Sequence, residues 1–134
     1  VSAGLATLGA LDSSVYELLE ARGARLEEGL RKALTETNVA GSVARVGSML
    51  TLFFHPGPLR CYDDVLGTDR ARFARWHRGL LERGIYWPAS QFEAAFISAA
   101  HSEADIDWTV LPNNSKSQPN WPSIAPGRHV SETG

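Results

Sequence analysis

Cysteine is nearly absent from this chain of 134 residues; Cys61 is the only one. A single thiol excludes an internal disulfide and fits a reducing, cytoplasmic compartment. Cys61 has neither a nearby base nor a second thiol in sequence, so a catalytic or metal-binding reading of it is poor. Long hydrophobic runs are missing as well. None approaches the roughly 20 residues of a membrane span, and nothing at the start has the form of a signal peptide. Charge of one sign is also lacking: the net charge is −2, which gives no reason to expect nucleic acid or a membrane surface as partner. Lysine is scarce, with only Lys32 and Lys116. No metal-ligand spacing and no glycine-rich phosphate cradle occurs.

What is present is ordinary for a folded chain. Hydrophobic residues make up 43% and charged residues 21%, and the length suits one domain with a core of its own. The chain opens on Val1 rather than Met, which is compatible with processing and with a fragment of something longer.

Val1–Leu11 reads as a small-residue helix with Leu5, Leu8 and Leu11 on one face, the end of a longer helix. Gly4 and Gly9 each cost about 1 kcal/mol against Ala there, so close packing is expected as compensation. Ser14–Thr37 reads as the main helix, with Ser14 and Glu17 at capping-box spacing and Asp12 and Ser13 adding N-terminal preference. Its apolar stripe is Val15, Leu18, Leu19, Leu26, Leu30, Ala33 and Leu34. Glu27–Arg31 and Glu28–Lys32 are spaced to pair, Gly23 and Gly29 weaken the middle, and Asn38 suits the stop.

Ser42–Phe54 has β character. Gly47-Ser48 between Val43–Val46 and Met49–Phe54 fits a two-residue hairpin turn with Gly first. The second strand is apolar except at Thr51, which predicts cover on both faces. Arg45 is a weak anion-site candidate at a strand end. His55–Gly67 reads as a loop with a short turn at Tyr62–Val65. Thr68–Arg83 is the second long helix, capped by Thr68 or Asp69 and stopped at Gly84. Its apolar face is Phe73, Trp76, His77, Leu80 and Leu81, and His77 on that face reads as a core or edge residue. Arg70, Arg72, Arg75 and Arg78 line up as a possible anion site, but the overall balance does not favour nucleic acid.

The stretch Gly84–His101 holds two β-type runs, Ile85–Trp87 and Phe96–Ala99. Pro88 cannot donate to a ladder, so the chain leaves the first run there. The loop that follows presents Ser90, Gln91 and Glu93 at a sheet edge, a place where a rigid scaffold holds functional groups. The plainer reading is a polar connection in which Ser90 and Gln91 satisfy neighbouring backbone groups and Glu93 is solvated. Beyond Ser102, Glu103 and Asp105 make an acidic first turn. From Trp108 the chain turns Pro-, Ser- and Asn-rich to Gly134, reading as a disordered or foreign tail.

Three runs carry a resemblance: Arg45-Val46-Gly47-Ser48-Met49-Leu50-Thr51-Leu52-Phe53-Phe54, Arg72-Phe73-Ala74-Arg75, and Gly84–His101 with Ser90-Gln91-Phe92-Glu93-Ala94 at its centre. Together they resemble the C-terminal domain of the glutamate-1-semialdehyde 2,1-aminomutase family, of the class III aminotransferase group with fold type I. The resemblance implies an α+β domain, a small mostly antiparallel sheet packed against two long helices. Residues 1–107 would be that domain, with 1–11 the end of a crossover helix, and 108–134 a divergent tail. It implies a parent enzyme that converts glutamate 1-semialdehyde to 5-aminolevulinate for tetrapyrrole synthesis. Its cofactor would cycle between pyridoxamine phosphate and pyridoxal phosphate, in a homodimer. It also implies that Glu93 reaches the active-site mouth, with Ser90 and Gln91 supporting the loop.

Lys32 lies on a solvated helix face and Lys116 in the tail, neither in a context that buries and deprotonates an amine. The cofactor-binding lysine would therefore lie upstream, in N-terminal and large domains outside this chain, and the chain alone would not catalyse. Two other readings stand beside this one: the C-terminal domain of another class III aminotransferase, and a stand-alone, non-catalytic binding module. A fragment parted from a larger enzyme is expected to expose an apolar patch; a module is not.

Overall fold

The computed structural model describes residues 1–110; residues 111–134, which hold most of the expected tail, lie outside the described residues. The elements run α1 (Ser2–Ala10), α2 (Ser13–Glu36), β1 (Ser42–Val46), β2 (Met49–Phe53), α3 (Tyr62–Leu66), α4 (Arg70–Glu82), β3 (Ala95–Phe96) and α5 (Glu103–Val110). The three strands form one antiparallel sheet in the order β1-β2-β3. This is the small sheet on long helices that the resemblance implies.

Both long helices end as their sequences predict. After α2, Asn38 takes φ 52°, and the amides of Asn38 and Val39 donate to the carbonyls of Thr35 and Leu34. After α4, Gly84 takes φ 76°, and the amides of Gly84 and Ile85 donate to Leu81 and Leu80. Each is a Schellman motif, closed by the residue types that tolerate left-handed backbone. The helix starts select among the caps that the sequence offers. Asp12, not the Ser14–Glu17 box, caps α2: its carboxylate accepts from the Val15 amide and from the Ser14 hydroxyl. Asp69 caps α4, accepting from the Arg72 amide at 2.8 Å.

The hairpin turn is as expected, with Val46 opposite Met49 and Gly47 at φ 58°. Pairing fixes the two faces of the sheet. Val43, Arg45, Leu50, Leu52, Ala95 and Ile97 point inward. All of these but Arg45 meet Leu26, Leu30, Phe73, Trp76 and Leu80 in one core. Trp76 is its centre, edge-on to Phe54 at 6.0 Å and to Trp87 at 5.2 Å between ring centroids. Both long helices lie on this side. Among the described residues nothing covers the opposite face, so β2 is covered on one face and not on both: Leu50 and Leu52 are buried while Met49 is exposed and Thr51 and Phe53 are half-buried.

Other expectations change with the packing. Ile85–Trp87 is not a strand; Trp87 turns under Trp76, and its carbonyl lies 2.9 Å from His77 Nε2. The second run shrinks to β3, and the expected turn at Tyr62–Val65 is the short helix α3. Leu18 and Leu81 are exposed although the stripes include them. Lys32 reaches Glu36 rather than Glu28. Gly4 and Gly9 have nothing close to pack on, whereas Gly23 and Gly29 are the contact points of α2: an added Cβ would meet Gly47 O at 2.5 Å and the Val110 side chain at 2.5 Å. Trp108–Val110, read as the start of the tail, instead belong to α5. This helix is tied to α2 by the pairing of Arg25 with Asp107 and Glu103.

Candidate functional site: the Ser90–Glu93 turn and the open sheet face

The turn that follows Pro88 folds on itself. The Phe92 amide donates to Ser90 Oγ at 3.2 Å, and the Glu93 amide donates to the Ser90 carbonyl at 3.1 Å. The Ser90 amide faces Glu93 Oε2 at 3.4 Å. Local bonds of this kind are what Ser and a following acid offer a turn. The three candidate residues then separate by depth. Ser90 is half-buried, Gln91 is buried and Glu93 is exposed.

Gln91 is only 3% exposed and points away from solvent. Its Nε2 donates to Thr68 Oγ1, and Thr68 in turn donates to the Val65 carbonyl at 2.8 Å. Its Oε1 is buried without a hydrogen-bond partner among the described residues. An unpaired buried acceptor of this kind costs about 1–3 kcal/mol. Sequence reasoning missed Thr68 as anything but a rival cap. The available signal was a threonine beside a better-placed aspartate, left over once Asp69 takes the cap.

Glu93 lies where the turn meets the sheet, its carbonyl 3.4 Å from the Thr51 hydroxyl. Thr51 belongs to the outward face, on which Val46, Met49 and Phe96 form a continuous cross-strand row. Their exposures are 74%, 38% and 70%, so three apolar side chains in register face solvent. Phe92 projects from the same turn, its ring 6.1 Å from that of Tyr62 and 5.7 Å beneath the Arg70 guanidinium. The site is thus a carboxylate on a backbone-pinned turn at the border of an uncovered apolar surface.

Arg70 reaches this turn over the Phe92 ring, whereas Arg45 and Arg72 do not join it. Arg45 faces α2, where Glu27 and Glu20 take its donors at 2.7 and 2.8 Å and the Gly47 carbonyl a third at 2.8 Å. Its hydrogen bonds hold the Glu27 carboxyl below the ordinary carboxylate value, so Arg45 has a structural partner rather than an anion to bind. Arg72 bonds back to the Asp69 cap. Among the described residues no group of His, Cys, Asp and Glu could hold a metal ion, and no helix is long and apolar enough to cross a membrane. A separate cavity of about 530 Å³ lies between Gly84–Pro88, Ala94–Ile97 and α5, and neither Ser90, Gln91 nor Glu93 lines it.

The described residues offer no lysine that fits pyridoxal phosphate. Lys32 is the sole lysine among the described residues, its side chain 71% exposed and near Glu36 at 3.8 Å. A Schiff-base lysine must shed its proton in a dry pocket, and Lys32 stands in solvent.

No protein-family model matches the chain. Known proteins do. The chain is 56% identical over 110 residues to the glutamate-1-semialdehyde 2,1-aminomutase of Sorangium cellulosum, covering 82% of this chain and 25% of that protein. It is 49% identical over 112 residues to the enzyme of that name from Thermus thermophilus, covering 82% and 26%. Among solved structures, an omega-transaminase from Sphaerobacter thermophilus superposes with a TM-score of 0.67 at 23% identity, over 81% of this chain and 25% of that one. The aminomutase matches, together with the three-stranded sheet on its helices, identify a C-terminal domain of the class III aminotransferase group, with fold type I. Within that class the chain belongs to the glutamate-1-semialdehyde 2,1-aminomutase family. It spans about a quarter of the length of the curated relatives it matches.

Proposed function

We propose that this chain is the C-terminal domain of a cytoplasmic glutamate-1-semialdehyde 2,1-aminomutase and has no activity by itself. The parent converts glutamate 1-semialdehyde to 5-aminolevulinate in tetrapyrrole synthesis. Its pyridoxal phosphate is bound by a lysine and a phosphate site in N-terminal and large domains beyond this chain, within a homodimer. The observation that carries this is the 56% identity to the Sorangium cellulosum aminomutase over 110 residues. The open sheet face supports it, since a domain built to be covered leaves an apolar surface when alone.

In this proposal the chain supplies a wall and a charge. The apolar row seats against the cofactor-bearing part and excludes water from the cleft. Glu93, at the border of that row, presents a carboxylate to the substrate's ammonium, an attraction that strengthens as the cleft dries. Ser90 holds the turn.

The test is a chimera: residues 1–110 replace the matching segment of the Sorangium cellulosum enzyme. The chimera is expected to form 5-aminolevulinate from glutamate 1-semialdehyde, and the chain alone to form none. Glu93→Gln in the chimera is expected to lower kcat/KM about tenfold, the weight of one charge–charge contact in a partly dry cleft. A chimera that transaminates other amines yet ignores glutamate 1-semialdehyde would move the domain to another class III enzyme.

A further inference from the structure

Gln91 and Thr68 are the only buried polar or charged residues of the described chain, at 3% and 6% exposure, and they bond to each other. Their direction is fixed. The single hydroxyl proton of Thr68 is committed to the Val65 carbonyl, so its oxygen accepts and the glutamine presents nitrogen. The acceptor is held from several sides. Thr68 follows Gly67, the C-cap of α3, its amide also bonding to Val65 O. It precedes Asp69, which caps α4 and whose amide donates to the Phe54 carbonyl at the end of β2. The Thr68 hydroxyl thus joins the end of α3 to Gln91, and Asp69 beside it joins β2 to α4; the turn bearing Glu93 is attached there by Gln91, and elsewhere by Thr51 and Phe92.

The bond is a poor source of stability. One polar atom of Gln91 is buried unpaired, and a methionine of the same length would avoid that. Glutamine here gives direction instead: a methionine slides in an apolar slot, whereas an amide facing a fixed hydroxyl has one register. We propose that Thr68 and Gln91 are positioning residues, a buried latch that sets the height and direction of the Ser90–Glu93 turn and so the place of the Glu93 carboxylate. This rests on Glu93 facing substrate.

The experiment compares Gln91→Met, Thr68→Val and Thr68→Ser, with Glu93→Gln as reference, in the active chimera and in the 134-residue chain. Gln91→Met is expected to melt at or above the parent's temperature, yet to lose about tenfold in kcat/KM, since small misplacement of a reacting contact is costly. In the isolated chain its Glu93 amide, bonded to Ser90, is expected to exchange about tenfold faster with solvent while core amides are unchanged. Thr68→Val is expected to reproduce the kinetic loss and Thr68→Ser to restore it within twofold, which also decides the matter should Gln91→Met fold poorly. If Gln91→Met and Thr68→Val both keep kcat/KM within twofold while Glu93→Gln loses activity, the latch is wrong and the role of Glu93 stands. If Glu93→Gln itself changes nothing, the substrate-facing role falls first and takes the latch with it.

Discussion

Single carboxylates at helix starts carry much of the local order. Asp12, Asp64, Asp69 and Asp105 each accept backbone N–H groups at or next to an N-terminus. For Asp69 the bond from the Arg72 amide is the main cause holding its pKa below the ordinary 3.8, assisted by the Arg72 side chain. A carboxyl lowered on folding stabilises the fold fully above its unfolded value and loses that contribution as pH falls through the folded one. Asp69→Ala is therefore expected to cost about 1 kcal/mol at pH 7, the usual worth of such a cap. The difference between the two proteins should shrink as pH drops below 3.8. Urea melts of both proteins at pH 7, 5 and 3 check this; a gap that stays constant at pH 3 would rule out the charged cap. Such residues differ in how far the sequence reveals them. Glu93 and Ser90 are legible as a polar turn because Pro88 ends what precedes them. The burial of Gln91 is not, because its partner lies 23 residues away and neither residue type implies the other.

Helix α2 shows how an element is shaped by its neighbours. Its stripe and its stop at Asn38 follow from helical periodicity and from the left-handed backbone that Asn tolerates. The reason for its internal glycines does not, since periodicity carries no information about which strand or helix crosses. Gly23 passes beneath the hairpin turn: a Cβ there would lie 2.5 Å from the Gly47 carbonyl oxygen, which is backbone and cannot swing aside. Gly23→Ala is expected to lose about 1–3 kcal/mol to overpacking despite better helix propensity. Gly9 sits in α1, which buries no residue, and a Cβ there meets nothing within 4 Å. Gly9→Ala is expected to raise helicity by far-ultraviolet circular dichroism without moving the global melt, because α1 can fray independently of the core. A Gly23→Ala protein as stable as the parent would show that the turn can rise off the helix. In the same way, the apolar run of β2 reads as a strand covered twice, although only one cover lies among the described residues.

At the scale of the molecule, that missing cover is the central fact. The core is complete on the helical side, where Leu30, Leu50, Leu52, Trp76 and Leu80 are almost wholly inaccessible. On the other side Val46, Met49 and Phe96 stand in register and in water. Under the proposed function this is the surface pressed against the cofactor-bearing part, and the chain alone is expected to be adhesive. Charging the row separates cover from core, since outward residues support no inner packing. Val46→Lys with Phe96→Lys is expected to shift stability by no more than about 0.5 kcal/mol per site, as exposed substitutions do. The same pair should sharply reduce binding of a hydrophobic dye and self-association by the folded chain. In the chimera these two charges should instead abolish assembly and activity, because there they would be buried without partners. If the doubly charged chain unfolds, the row supports the core and the face is not open. If it stays folded and dye binding is unchanged, the adhesive surface lies elsewhere, and the proposed seat of the cofactor-bearing domain moves with it.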